Sequence, residues 1–261
     1  MDINLLVIAL GNSRLATGVF AAGELERVVR HPIADRGQWE GAIQQAWSRI
    51  ADSAAPAVAA ASVNPQFNSL VEEIARRLAG QGVQWVGRQI ELPIEVCTQN
   101  PSETGIDRIL NVAAAFEQMG KACIVVDAGT AVTVDCCNDN GDFLGGAIAP
   151  GLSMMLDALG RRTAGIGRVS FLPPTSGAVG DSTSAAVSQG VYSAIRGLVR
   201  EVAENYATQL GQWPEIIATG GDAHQLFDGW ELIHAISPDL GLYGIALAYT
   251  NHHIRHDSTG T

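Results

Sequence analysis

Apolar positions recur in two rhythms along this chain. Residues 5–10 and 15–20 are short, nearly continuous apolar runs on either side of Gly11-Asn12, the pattern of two paired strands. Residues 39–50 and 67–78 carry apolar side chains at helical spacing, the second run closed by Gly80 and Gly82. Residues 57–61 and 83–86 read as buried strands, so the first half predicts β-β-α-β-α-β. A proline-broken polar stretch over 92–103 reads as a loop, and 105–119 as a helix ending at Gly120. Strands are expected over 122–126 and 131–136, a glycine-rich passage over 142–151, and a helix over 152–159. A Pro/Gly/Ser loop over 168–180 leads to a long helix over 182–210, a strand over 215–218, a turn at Thr219-Gly220-Gly221-Asp222, and a last helix over 240–253. Strands, helices, strand and helix thus recur in the second half. They predict a duplicated α/β protein with a cleft between its halves, the domains being 1–103 and 104–261.

The duplication shows most clearly in one turn. Leu6-Val7-Ile8-Ala9-Leu10-Gly11-Asn12-Ser13-Arg14 aligns with Ile124-Val125-Val126-Asp127-Ala128-Gly129-Thr130-Ala131-Val132, glycine on glycine. Each copy is an apolar strand, a small-residue turn with a polar side chain, and a second strand. Glycine lets a backbone approach an anion, and Thr130 can donate a hydrogen bond. Two such hairpins facing one another can hold a nucleotide's phosphates. An ordinary β-turn with polar residues explains either copy equally well alone. Ala9 stands where the second copy has Asp127, so one carboxylate is missing from the first.

Composition narrows the classes. The chain has 261 residues, 47% of them hydrophobic, enough for a sizeable core. Its net charge is −11, with no basic run and no interleaved aromatics, which argues against a nucleic-acid partner. An anionic ligand must then be held by backbone N–H groups and a few local cations. No apolar stretch approaches a membrane span, and the run over 1–10 is too short for a leader and lacks a positive start. Cys97, Cys123, Cys136 and Cys137 include no CxxC pair and read as buried thiols of a reducing cytoplasm. His252, His253 and His256 read as a solvated helix end rather than a metal site.

Three further segments can carry chemistry. Gly105-Ile106-Asp107-Arg108 opens a helix, where Asp107 is either an N-terminal carboxylate of ordinary kind or part of an anion-facing site. Gly145 to Gly151 is a tight backbone passage near a ligand or a simple connection. Thr219 to Asp222 follows a strand, a place that suits a base or ribose, although a Gly-Gly turn alone says little.

Taken in order, Gly11-Asn12-Ser13-Arg14, Ser62-Val63-Asn64-Pro65, Asn100-Pro101, Gly105 to Arg108, Asp127 to Thr133, Gly145 to Gly151, Gly180-Asp181-Ser182-Thr183 and Thr219 to Asp222 resemble the type III pantothenate kinases over nearly the whole chain. The resemblance implies the duplicated actin-like kinase fold of the acetate and sugar kinase/actin superfamily, two domains with a nucleotide cleft between them. It implies ATP-dependent phosphorylation of pantothenate in the first step of coenzyme A synthesis, in a cytoplasmic homodimer using Mg²⁺ and K⁺ or NH₄⁺. It makes Asp107 the general base and puts Thr98, Gly105, Ile106, Asp107, Arg108 and Thr183 at pantothenate. Ala9, Leu10, Gly11, Asn12, Ser13, Arg14, Leu15, Ala16 and Thr130 fall at ATP, and Asp127 at the monovalent cation. Three positions depart from the family pattern: Ala9 replaces an aspartate, Thr98 a common tyrosine, and Asp181 a common basic residue. A sugar or acetate kinase of the same superfamily fits Gly105 to Arg108 less well. A non-catalytic binding or regulatory homologue with a degenerate first hairpin is the alternative of a different class.

Overall fold

The computed structural model describes residues 3–175 and 179–258. The expected loop over 168–180 therefore includes three residues, 176–178, that lie outside the described ones. In chain order the elements are β1 (Leu5–Leu10), β2 (Arg14–Ala21), β3 (Glu24–Pro32), α1 (Trp39–Trp47), β4 (Ala57–Ser62), α2 (Asn68–Ala79), β5 (Gln84–Trp85) and α3 (Ile106–Met119). There follow β6 (Cys123–Ala128), β7 (Ala131–Cys137), β8 (Phe143–Pro150), α4 (Leu152–Arg162), α5 (Thr183–Leu210), β9 (Glu215–Thr219), α6 (Ala223–Phe227), β10 (Ala235–Ile236) and α7 (Leu240–Ser258).

The chain divides into two compact units, Met1–Ala114 with Asp239–Thr261, and Ala115–Pro238. Each contains one five-stranded sheet. The first has the order β3-β2-β1-β4-β5 and the second β10-β9-β6-β7-β8. Read from the other edge, the second order repeats the first. In both, the opening strand pairs antiparallel with the next strand of the chain and parallel with one reached through a crossover. The duplication seen in the turn thus extends to whole sheets.

In the first unit the sheet is covered on both faces. Leu6, Ile8, Leu10, Leu15 and Val58 pack with Trp39 and Ile43 of α1 and Val71 and Ile74 of α2. Leu5, Val7, Ala57, Ala59 and Ala61 pack with Leu110 of α3 and Leu242, Ile245 and Ala246 of α7. Strands buried on both faces read as continuous apolar runs, which is why β1 and β4 were legible without alternation. In the second unit Ile124, Val126, Val132, Val134 and Ile216 pack with Val191, Ile195 and Val199 of α5, Leu152 of α4 and Leu226 of α6.

Some elements depart from the sequence expectation. Residues 24–32 form an edge strand where none is expected, because Glu24, Glu26, Arg27 and Arg30 blur its alternation; charged side chains are usual on a sheet edge. The glycine-rich passage over 142–151 is mostly strand β8. Helix α7 packs on the first sheet, although the sequence reading grouped it with the second half. Cys123, Cys136 and Cys137 are buried as expected of core thiols, whereas Cys97 is exposed. Among the described residues no helix is long and apolar enough to cross a membrane.

Candidate active site

The first hairpin is drawn tight by Gly11, whose N–H donates to the Arg14 carbonyl at 3.0 Å. Leu10 and Leu15 are the last paired residues, and Asn12, Ser13 and Arg14 are exposed at the tip. The segment after β4 wraps this turn. Val63 N–H donates to the Leu10 carbonyl at 3.0 Å, and Asn64 Nδ2 to the Gly11 carbonyl at 3.4 Å.

Asp107 lies in the first turn of α3, in the same unit. Its Oδ1 accepts the Arg108 N–H at 2.9 Å, which turns the carboxylate back toward the helix start. Gly105 makes room for this: a Cβ there would stand 2.7 Å from Asp107 Oδ1. Asp107, Ala9, Leu10, Gly11, Ala61, Ser62, Val63, Ile106, Leu110, Gly241 and Ile245 line a recess of about 70 Å³. The protein packed around the Asp107 carboxyl raises its pKa above the ordinary 3.8, against the opposing pull of the Arg108 N–H and guanidinium. A carboxylate with a raised pKa is a better proton acceptor. Thr98 Oγ1 lies 3.1 Å from Thr104 Oγ1, which ties the stretch before α3 to the residue preceding Gly105.

The remaining expected residues belong to the second unit. Gly129 N–H donates to the Ala131 carbonyl at 3.0 Å, and Ala128 and Val132 are the last paired residues. This connection is one residue shorter than that of the first hairpin, so the two copies match up to the turn and slip by one after it. The turn after β9 wraps the hairpin as the segment after β4 wraps the first. Asp222 N–H donates to the Ala128 carbonyl at 2.9 Å. Gly220 has φ of +94°, and a Cβ there would fall 2.5 Å from Asp127 Oδ1, so only glycine lets the chain pass over this carboxylate.

The two hairpins differ most in the row running across their strands. In the second unit Asp127 stands between Thr133 on one neighbour and Thr219 on the other, and Thr133 Oγ1 donates to the buried Asp135 at 2.8 Å. In the first unit the same row reads Ala16, Ala9, Ala61. The polar row offers carboxylate and hydroxyl oxygens, the donors that hard cations take. The alanine row offers none. Among the described residues no three His, Cys, Asp or Glu side chains gather to hold a metal.

Thr183 is the first residue of α5, capped by Ser182, whose Oγ accepts the Ala185 N–H at 3.2 Å. It lies at an apolar groove of about 780 Å³ between α4 and α5, with Pro150, Met154, Leu159, Val187 and Val191. Sequence reading picked out Asp107, Asp127 and their glycines but missed Leu110, Gly241 and Ile245 of the recess. It also missed Thr133 as a partner of Asp127. These residues carry no motif, and only strand register and helix packing bring them in.

A sequence profile described as type III pantothenate kinase matches residues 5–205. The chain belongs to this family. Among curated type III pantothenate kinases it is 30% identical to that of Solibacter usitatus over 260 residues, covering 95% of this chain and 97% of the relative. It is 35% identical to that of Dehalococcoides mccartyi over 188 residues, covering 72% of each. The folded chain is similar to a conserved putative Baf family transcriptional activator from Campylobacter jejuni, with TM-score 0.63, 20% identity, and coverage of 95% and 99%. It is similar also to MreB 5 of Spiroplasma citri bound to AMPPNP, with TM-score 0.56, 12% identity, and 99% of both chains covered. At these identities the structures speak for fold alone, and the fold is the two-unit α/β architecture of actin-like proteins. This pantothenate kinase family member has a carboxylate at the start of α3 and a polar row in the second hairpin, and alanine across the first.

Proposed function

We propose that this chain transfers the γ-phosphoryl group of ATP to the primary hydroxyl of pantothenate, giving 4′-phosphopantothenate in the first step of coenzyme A synthesis. The observation that carries the reading is the Asp107 carboxylate, raised in basicity and set at the recess beside the Gly11 turn in a chain of this family. Asp107 accepts the hydroxyl proton as that oxygen attacks the phosphorus. Gly105, Ile106, Arg108, Thr98 and Thr183 bind pantothenate. Backbone N–H groups of the two hairpins, over 9–16 and at Thr130, receive the phosphates. Phosphoryl transfer depends chiefly on positioning and charge neutralisation, and backbone dipoles supply both without adding net charge to an acidic protein.

Asp127, with the Thr133 and Thr219 hydroxyls in its row, fits the oxygen donor set of a monovalent cation, K⁺ or NH₄⁺. Mg²⁺ bound with the ATP phosphates neutralises charge on the transferring group, and an ion held mainly by substrate phosphates and water asks few protein carboxylates. The reading includes a cytoplasmic homodimer in which Thr183 of one copy completes the pantothenate site of the other. The alanine row favours one second reading, a homologue that binds these ligands without turning them over. The test of both is purified protein with ATP, Mg²⁺, K⁺ and pantothenate, followed for 4′-phosphopantothenate, with calorimetric binding of each ligand in parallel. Product formation supports the kinase; binding without product supports the second reading.

A further inference from the structure

Cys123 and Cys137 take no part in the function proposed above, yet the fold sets them as a pair. Cys123 opens β6, Cys137 closes β7, and the two are direct partners across the antiparallel ladder. Both are fully buried, and their sulfurs lie 3.3 Å apart. Side chains alternate between the faces of a sheet, so Cys136 points the other way, into the core with Ile124 and Val134. Direct partners in an antiparallel ladder have Cα atoms about 4.5 to 5.5 Å apart, inside the roughly 4.4 to 6.8 Å that a disulfide spans. The sulfurs need to approach by only about 1.3 Å to reach bonding distance. Two features give a small oxidant a route to them. The pair sits at the open end of the hairpin, beside exposed Lys121, Asp139 and Asn140. The β7–β8 register also slips between Cys136 and Cys137, so the ladder is already interrupted next to the second sulfur. Strand ends of this kind open locally without global unfolding.

We propose that Cys123 and Cys137 are a modification site, a dithiol that a hydroperoxide closes to a reversible disulfide, locking the open end of the second hairpin. The Cys123 S–H hydrogen bond favours the thiolate of Cys137, against burial and the Asp139 and Asp142 carboxylates, so Cys137 attacks first. An S–O bond forms at one peroxide oxygen, the O–O bond breaks and hydroxide leaves. The Cys123 sulfur then attacks the sulfenic sulfur of Cys137, an S–S bond forms and a second hydroxide leaves. The two thiol protons turn both hydroxides into water; the sulfurs together lose two electrons and the peroxide gains them. A reducing thiol restores the pair by exchange, so the dithiol is the resting form in a reducing compartment. Asp127 and Thr130 lie toward the other end of the same strands, so the bond stiffens the hairpin that presents them.

The experiment treats the folded protein with excess hydrogen peroxide, then quenches, unfolds and alkylates it. A Cys97→Ser background removes the exposed thiol and leaves three cysteines. The expected result is the loss of two hydrogens by intact mass, with Cys136 alone alkylated, and recovery of all three thiols after dithiothreitol. Hydrogen exchange over 123–137 is expected to slow by roughly tenfold in the oxidised form. Cys136→Ser should keep the disulfide and Cys123→Ser should lose it. If Cys123→Ser fails to fold, the alkylation pattern carries the test. Three free thiols after peroxide, added oxygen without a sulfur–sulfur bond, or a disulfide that includes Cys136 would overturn the site. Unchanged exchange in a protein that carries the disulfide would overturn the lock.

Discussion

The two hairpins share a strand order, a turn glycine and a covering segment, yet one row is Ala16-Ala9-Ala61 and the other Thr133-Asp127-Thr219. The two copies share a backbone path up to the turn, and beyond that their side chains differ in kind. The second hairpin keeps oxygen donors that suit a cation. The first has alanine in that row, polar Asn12, Ser13 and Arg14 at its tip, and an apolar recess beside it that Asp107 of α3 lines. In the proposed function the first hairpin offers the anion its turn, while the cation depends on Asp127, Thr133 and Thr219, which register alone brings into one row.

The largest expected effect tests the one carboxylate of the first site. Asp107→Asn is expected to lower kcat by about 10² to 10⁴ while KM for ATP changes little. The same substitution has a stability signature. The folded protein holds this proton more tightly than the unfolded chain, so ionisation subtracts stability as pH rises from the ordinary 3.8 through the raised native value. Asp107→Asn should therefore melt no lower than the wild type at pH 7. In the wild type kcat/KM should fall as pH drops through that same raised pKa. A folded Asp107→Asn protein with full turnover removes the role.

Next in size is the conversion of the second row toward the first. Asp127→Ala is expected to abolish any advantage of K⁺ or NH₄⁺ over Na⁺ and to raise KM for ATP by roughly tenfold or more, because a local positive charge near the phosphates is lost. Equal wild-type rates in the three salts would break the contrast between the rows. Gly105→Ala is smaller: its Cβ displaces the Asp107 carboxylate, and kcat should fall by roughly tenfold with the melting temperature nearly unchanged. The smallest effect is expected from conversion in the opposite direction. Ala9→Asp should lower the Mg²⁺ concentration for half-maximal rate by a few-fold, since one added carboxylate is a large share of a protein's usual Mg²⁺ contacts. A magnesium titration that superimposes on the wild type shows that the alanine row costs the protein nothing in metal binding.

Much of this contrast was legible from the chain. Apolar runs found β1, β4 and β6, turn glycines found both hairpins, and aligning the glycines exposed Ala9 against Asp127. The row partners were not legible. Ala61 and Thr219 come from strands 52 and 92 residues away from Ala9 and Asp127, and local periodicity carries no register between distant strands. Strand β3 was hidden by charges on an edge, and β10 by its two-residue length. For α7 the pattern showed an apolar helix but not which sheet it covers; Gly241 and Ile245 of the recess were missed for that reason.

The return of α7 to the first sheet also sets a timetable. On the ribosome the strands of the first unit emerge early, but Leu5, Val7, Ala57 and Ala59 gain Leu242, Ile245 and Ala246 only when the final helix arrives. Residues 115–238 are synthesised in between and have a core of their own, so they can close before the unit that precedes them. Until then that apolar sheet face has only part of its cover, from Leu110 of α3, in a nascent chain. Partial cover of an apolar face during synthesis is a folding hazard of a kind separate from the stability of the finished fold.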